Sequence, residues 1–255
     1  MRIEFLGIPL DAITLDETVE KIDNAIKEGK HISHVVINAG KVVAMQKDKM
    51  LFKSVASCDI INADGQSVVW GARFLGAKVP ERVAGIDLMY SLLKLAGEKG
   101  YTCYFLGARE EVVREVVARV KKKYGSEIVA GSRNGYFTEE EGEEVAGEIL
   151  QSGANILFVA MASPKKEKFL YQNREILKKV NFTMGVGGSF DVIAGITKRA
   201  PVWMQRMGLE WFYRFMQEPK RMWRRYLVGN SRFIWMVIKE KKKYILKNHD
   251  KVKNI

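Results

Sequence analysis

The chain has 255 residues, 47% of them apolar, enough for one large α/β domain or a domain with an appendage. No stretch reaches the roughly 18 uninterrupted apolar residues of a spanning helix. Met1–Leu10, charged at Arg2 and Glu4, does not read as a signal peptide. The net charge is +12 and unevenly placed: residues 200–255 hold 14 Lys or Arg against 4 Asp or Glu, the first 199 only 28 against 26. A nearly neutral body of +2 thus precedes a tail of +10, which also carries Trp203, Trp211, Trp223 and Trp235, four of the five tryptophans.

In chain order, apolar runs predict strands at Ile3–Leu6, His34–Asn38, Ile60–Ala63, Thr102–Leu106, Glu127–Ala130, Ile156–Ala160 and Phe182–Val186. Helical periodicity falls between them at Leu15–Lys27, Ile86–Lys99, Glu111–Tyr124, Glu139–Gln151 and Pro164–Lys179. Start signals fit: Thr14 or Asp16 before the first, Thr138 followed by acids, Pro164 in a first turn. Strands separated by helices predict βαβ units, and uninterrupted runs such as Ile156–Ala160 suit strands buried on both faces. The expected fold is therefore α/β, a Rossmann-like parallel sheet flanked by helices. After Lys198–Pro201 no strand-like run appears, and residues 201–217 and 219–246 read as helices. This divides the chain into an α/β domain, 1–200, and a basic, aromatic helical C-terminal appendage, 201–255.

Ligands of parallel α/β sheets bind beyond the carboxyl ends of the strands. There, Asn62-Ala63-Asp64-Gly65 offers a carboxylate placed to act as a general base or to cap the helix Gln66–Phe74. Arg82, just before a helix, is suited to a diphosphate, or is a surface arginine. Asn38 either touches a ligand or caps the following helix. Lys165 and Lys166, after the strand Ile156–Ala160, either face an anionic substrate or start a solvated helix. Gly185-Val186-Gly187-Gly188-Ser189-Phe190-Asp191 lets backbone approach a phosphate or ribose, or is simply a tight turn; Asp191 would accept from ribose hydroxyls or cap.

Several chemistries are absent. There is no Asp-x-Asp and no Walker or GxGxxG pattern, and His31, His34 and His249 have no ligand spacing. No metal site and no cofactor are expected, so arginines, lysines and helix N-termini would have to neutralise a departing diphosphate. Cys58 and Cys103 form no CxxC pair and read as reduced, buried thiols.

As an ordered set, these motifs resemble the WecG/TagA/CpsF family of bacterial glycosyltransferases. The resemblance rests on Asn38-Ala39, Asn62–Gly65, Glu81–Met89, Phe105-Leu106-Gly107-Ala108, Gly135-Tyr136-Phe137, Ser163–Phe169 and Gly185–Gly195 with Arg199-Ala200-Pro201, all within residues 1–217. It implies an inverting, metal-independent transfer of an N-acetylhexosamine, commonly the manno epimer or its uronic acid. The donor would be a UDP-sugar and the acceptor a sugar on undecaprenyl diphosphate, in synthesis of cell-surface polysaccharide or teichoic acid. Asp64 matches the catalytic base and Arg82 an arginine that stabilises the diphosphate. Asn38, Gly107, Lys166, Gly187, Gly188 and Asp191 match the nucleotide-sugar pocket. Two positions depart from the common pattern. Val36-Ile37 stands where many members have Thr-Pro or a similar polar residue, and Lys166 where many have Gln. The lysine implies an extra anion on donor or acceptor, such as a uronic carboxylate.

The tail interleaves aromatics with Arg214, Arg221, Arg224, Arg225 and Arg232. This suits a helix lying on anionic headgroups, where each basic residue contributes roughly 1 kcal/mol. Arg214, Arg221, Arg224 and Arg225 are expected to bind acceptor or membrane. Nonspecific nucleic-acid binding, or packing against the body or another subunit, would use the same residues. No specific nucleic acid is expected, and a homo-oligomer is compatible with the pattern. The implied location is cytoplasmic, peripheral at the inner face of the cell membrane. Two other classes stay open: a nucleotide-dependent oxidoreductase, for which Gly7-Ile8-Pro9 lacks the glycine fingerprint, and a nonenzymatic nucleic-acid or membrane adaptor.

Overall fold

The computed structural model describes residues 1–223 and 229–253. It opens with an antiparallel hairpin, β1 (Arg2–Phe5) and β2 (Ile8–Asp11), turned at Leu6 and Gly7, both at positive φ. The first expected strand is therefore real but lies outside the main sheet. Then follow α1 (Leu15–Lys27), β3 (Ile32–Ile37), α2 (Ala39–Met45), α3 (Lys49–Ala56), β4 (Ile60–Ala63), α4 (Gln66–Phe74) and α5 (Gly85–Lys99). The second half contains β5 (Cys103–Gly107), α6 (Glu110–Tyr124), β6 (Val129–Arg133), α7 (Gly142–Gln151), β7 (Ile156–Ala160), α8 (Lys165–Gln172), α9 (Arg174–Leu177), β8 (Phe182–Gly185) and α10 (Ser189–Ile193). The C-terminal elements are α11 (Val202–Arg206), α12 (Glu210–Gln217), α13 (Pro219–Trp223) and α14 (Gly229–Lys253).

Strands β3 to β8 form a parallel sheet in the order β4-β3-β8-β7-β5-β6. One face is closed by α1, α5, α6 and α10 through Ile22, Leu88, Leu92, Val116 and Phe190. The other is closed by α2, α3 and α4 at one end and by α7, α8 and α9 at the other. Residues 156–160 are buried throughout, as a strand covered on both faces requires.

Local chemistry sets the boundaries. Thr14 and Glu17 form a reciprocal capping box that starts α1, deciding between the two candidate caps. The expected helix Pro164–Lys179 is two helices meeting at Asn173, whose side-chain amide donates to the Phe169 carbonyl. The expected helix 201–217 is likewise two, because Gly208 turns the chain at φ +73°. Phe233 and Val237 of α14 are buried in the same cluster as Phe5, Val69 and Ala72, against α4 at Gly71. One stripe of the expected appendage is thus part of the body's core. Each such apolar side chain, fully buried, contributes roughly 1.5–3 kcal/mol.

Candidate active site at the carboxyl edge of the sheet

Parallel strands carry their following residues to one edge. Asn38 follows β3, Asp64 follows β4, Gly107 ends β5, and Gly187-Gly188 leads from β8 into α10. Between the neighbours β3 and β8 the chain diverges, α2 crossing one face and α10 the other. A crevice at that divergence is where such sheets bind ligands.

Asp64 is held by its backbone, whose N–H donates to the Ile37 carbonyl at 2.9 Å. It does not cap α4: that helix starts at Gly65 without a side-chain cap. The carboxylate instead meets the Gly85 backbone N–H at the start of α5. Burial pushes the Asp64 carboxyl above its ordinary range and nearby Glu210 adds to this, while Arg82, Arg214 and the Gly85 amide pull it down. Gly85 lies next to Val36, at a distance where an added methyl would make ordinary contact with it.

Arg82 lies on a segment fixed at several points. The Val83 N–H donates to the Ala63 carbonyl, Glu81 accepts from the Leu15 N–H at the head of α1, and Arg73 donates to the carbonyls of Val79 and Pro80. The Arg82 guanidinium, mostly buried, donates through Nη1 to Glu210 Oε2 at 2.8 Å. Glu210 Oε1 lies 3.8 Å from Arg199 Nε, and Arg199 forms a two-pronged pair with Asp87 at 2.6 and 2.7 Å. Arg82 is therefore not a free surface arginine, and Asp87, Arg199 and Glu210 join the site. The sequence reading named none of these three as a site residue. The available signal for Asp87 and Arg199 was their position within the two most specific motif blocks, whereas Glu210 lies nine residues beyond the second.

Helix α12 meets the body with an inverted face. Its polar stripe, Glu210, Arg214 and Gln217, points inward: Glu210 to Arg82, Arg214 toward Asp64, and Gln217 to the Lys198 carbonyl at 3.1 Å. Among its apolar residues Trp211, Phe212 and Met216 are left outside, 40–55% exposed, while Tyr213 and Phe215 are half-buried, and no residue of the helix is fully buried. A helix of a water-soluble surface normally does the reverse.

The remaining expected residues are arranged differently. Asn38 caps α2, accepting from the Lys41 N–H at 3.0 Å. Lys165 donates to the carbonyls of Gly135 and Phe137 and lies over the Phe137 ring, ordering the segment after β6. Lys166 is neither solvated nor at an open surface. It lies buried against Gly185, where a Cβ would come within 2.8 Å of its Cδ, and its Nζ is 3.0 Å from Glu167 Oε1. Lys41 Nζ approaches the same oxygen at 2.8 Å and donates to the Val36 carbonyl. Burial opposes ionisation of Glu167, but the two ammoniums prevail and hold it at about 2. Gly107 ends β5 against the Ala160 backbone, with no room for a side chain. Asp191 lies in α10, facing Gly188 across the turn. The Arg221 side chain, Arg224 and Arg225 lie outside the described residues.

The chain matches the model of the Glycosyl transferase WecG/TagA/CpsF family over residues 3–246. It belongs to that family. The match spans the α/β body and most of the C-terminal helices, so the protein is a glycosyltransferase, acting on a nucleotide-sugar donor and an acceptor. Membership sets aside the oxidoreductase and the nonenzymatic adaptor. No helix among the described residues is long and apolar enough to cross a membrane.

Proposed function

We propose that this family member transfers an N-acetylhexosamine, N-acetylmannosamine or its uronic acid, from UDP to a sugar on undecaprenyl diphosphate, with inversion. The observation that carries the reading is the juxtaposition of Asp64 with Arg82 at the head of α5, beside the crevice between β3 and β8. Asp64 takes the proton from the acceptor hydroxyl as that oxygen attacks the anomeric carbon. The bond from that carbon to the diphosphate oxygen breaks on the opposite face, and the leaving charge falls to Arg82 and neighbouring backbone amides. A raised carboxyl suits a base working near neutrality, since proton transfer is best served when the base is not too weak. Charge stabilisation by arginine and a helix N-terminus makes the transfer metal-independent. Asn38, Gly107, Gly187, Gly188 and Asp191 line the nucleotide-sugar side in this reading. Buried behind Gly185, the Lys41–Glu167–Lys166 cluster sets two ammoniums against one carboxylate, and in this reading only its net positive charge favours a uronic donor.

The acceptor's lipid would place the protein at the inner face of the membrane. The inverted α12 supports this, as do further exposed apolar residues: Trp203 and Met207 by α11, and Trp70 and Phe74 on α4. Trp70 packs beside Gly208, and Lys241 of α14 lies over the Phe74 ring, so body and appendage contribute to one apolar and basic surface. Such a surface fits anionic headgroups. In this reading Arg214, Arg221, Arg224 and Arg225 meet the acceptor diphosphate or the headgroups.

The test is UDP release in EDTA, with UDP-N-acetylmannosamine, its uronic acid and UDP-N-acetylglucosamine as donors and a lipid-diphosphate-GlcNAc acceptor. Acceptor-dependent release that Asp64→Asn abolishes supports the reading. Release unaffected by Asp64→Asn removes the base assignment, and a requirement for added divalent metal removes the metal-independent step. Loss of uronic preference in Lys166→Gln supports the donor assignment, and unchanged selectivity counts against it.

A further inference from the structure

Six ionisable side chains meet where α12 closes on the body: Asp64, Arg82, Asp87, Arg199, Glu210 and Arg214. Fully ionised, they carry three negative and three positive charges and sum to zero. A UDP-sugar brings at least two more negative charges, which this neutral cluster accommodates better when one resident anion gives way. The three acids are held differently. Asp87 has a two-pronged pair with Arg199, both on the body. Asp64 has the Gly85 N–H and is needed at the acceptor. Glu210 reaches in from α12 and holds Arg82 through a single hydrogen bond, its other oxygen lying 3.8 Å from Arg199.

Glu210 is also the right chemistry in the right place. A carboxylate oxygen 2.8 Å from a guanidinium nitrogen stands where a phosphate oxygen would bind the same donor group. Its side chain and that of Arg82 both remain 15–18% exposed, so the pair borders solvent rather than lying sealed in the core. No residue of α12 is fully buried, so Glu210 sits on a helix held to the body by polar contacts, such as that of Gln217 with the Lys198 carbonyl, and not by an apolar core.

We propose that Glu210 is an internal counter-anion for Arg82, occupying the place of the donor's diphosphate and displaced by it when the donor binds. This rests on the reading of Arg82 as the diphosphate ligand. Glu210 is thereby a positioning residue. It keeps the guanidinium aimed at the crevice, limits donor affinity, and couples donor binding to the contact between α12 and the body. It also influences the base, because it faces Asp64 together with Arg82, Arg214 and the Gly85 amide, with Asp87 and Arg199 behind. Leaving Arg82 takes its negative charge away from Asp64.

The experiment is calorimetric binding of UDP and of uridine to the full chain, as wild type, Glu210→Gln, Arg82→Gln and the double variant. Glu210→Gln is expected to bind UDP about tenfold more tightly, the scale set by one partly exposed charged hydrogen bond no longer competing. Uridine, which has no diphosphate, should bind unchanged. Arg82→Gln should weaken UDP and erase the gain in the double variant. The acid limb of kcat/KM should also move to lower pH in Glu210→Gln, because removing a like charge lowers the Asp64 pKa; a merely structural role would leave that limb in place. UDP affinity that is unchanged or weaker in Glu210→Gln, while Arg82→Gln still weakens it, overturns the counter-anion and leaves the donor reading standing. UDP affinity indifferent to Arg82→Gln overturns both. Should Glu210→Gln fail to fold, Glu210→Asp keeps the charge with a shorter reach. A smaller gain of the same kind then supports the proposal, and none overturns it.

Discussion

Two charged clusters flank the carboxyl edge of the sheet, and they are built on opposite plans. Beneath β8, Lys41, Lys166 and Glu167 are almost fully buried, with both ammoniums on one carboxylate oxygen. At the seam with α12, Asp64, Arg82, Asp87, Arg199 and Glu210 are only partly covered, and their pairings are divided among several partners. A buried pair is costly to open because each ion then lacks both water and partner. A pair bordering solvent can trade partners at small cost. The first cluster therefore fixes architecture, whereas the second is able to exchange a carboxylate for a phosphate.

The comparison is most sharply tested at Glu167. Glu167→Gln leaves two buried ammoniums without a counter-charge and should lower stability by roughly 3–5 kcal/mol, read by urea unfolding. A loss below about 1 kcal/mol would mean that the cluster is hydrated like a surface pair. Asp64→Asn should reverse the pattern, with the fold retained and the transfer rate reduced about 10²- to 10⁴-fold in the UDP-release assay. Unfolding of Asp64→Asn would place Asp64 with the structural cluster instead.

Acid should also separate the two plans. His34, buried and bonded to Asn62, is pushed down to about 4 by burial, the Asn62 hydrogen bond opposing this. The unfolded chain therefore binds a proton that the native state refuses, and stability should fall by about 3 kcal/mol as pH drops from about 6.5 to about 4. Glu167 adds a further loss below its ordinary range, as pH falls toward about 2. Asp64 has the opposite sign: its raised carboxyl gains a proton more readily in the native state, so acidification relieves its penalty. Chemical denaturation of wild type and His34→Gln across this window checks the sign; a variant with the same slope would clear His34.

Smaller effects probe single contacts at the seam. Arg82→Lys keeps the charge but loses the planar fork, and should weaken UDP binding about tenfold, one charged hydrogen bond's worth, by calorimetry. Replacing Trp211 and Phe212 by Ser should reduce partition onto vesicles containing anionic lipid by about tenfold or more, the scale of half-burying two apolar side chains. Equal partition would show that the outer face of α12 contacts something else.

Much of the sheet was legible because a strand buried on both faces has to be apolar along its length. Ile156–Ala160 and Ile60–Ala63 are found where the sequence predicts them, and α1 over its full predicted span. A helix was expected after Asn38, but the bounds of α2 and the whole of α3 were not given by periodicity. Both helices are short, and each is started by a side chain, Asn38 or Asp48, whose capping role is clear only once the next residues are helical. Asp64 and Arg82 were identified from their motifs, but Glu210 was not, because a lone glutamate at the start of a short helix has no distinctive pattern. The burial of Lys166 was not legible for a related reason. Its burial depends on Gly185, nineteen residues later in sequence, leaving room for its side chain.

The sequence by itself determined the alternation of strand and helix, the uneven charge and the ordered motifs that mark the family, since all of these are carried by local pattern and order. Tertiary structure alone decided that the first strand leaves the sheet, that Phe233 and Val237 of the tail enter the body's core, and that α12 turns its polar stripe inward. It also decided which acid meets Arg82. Residues 82 and 210 become partners only when α12 folds back over the carboxyl edge. Propensity and periodicity register neighbours along the chain, whereas the pairing of charges depends on distance and burial in space.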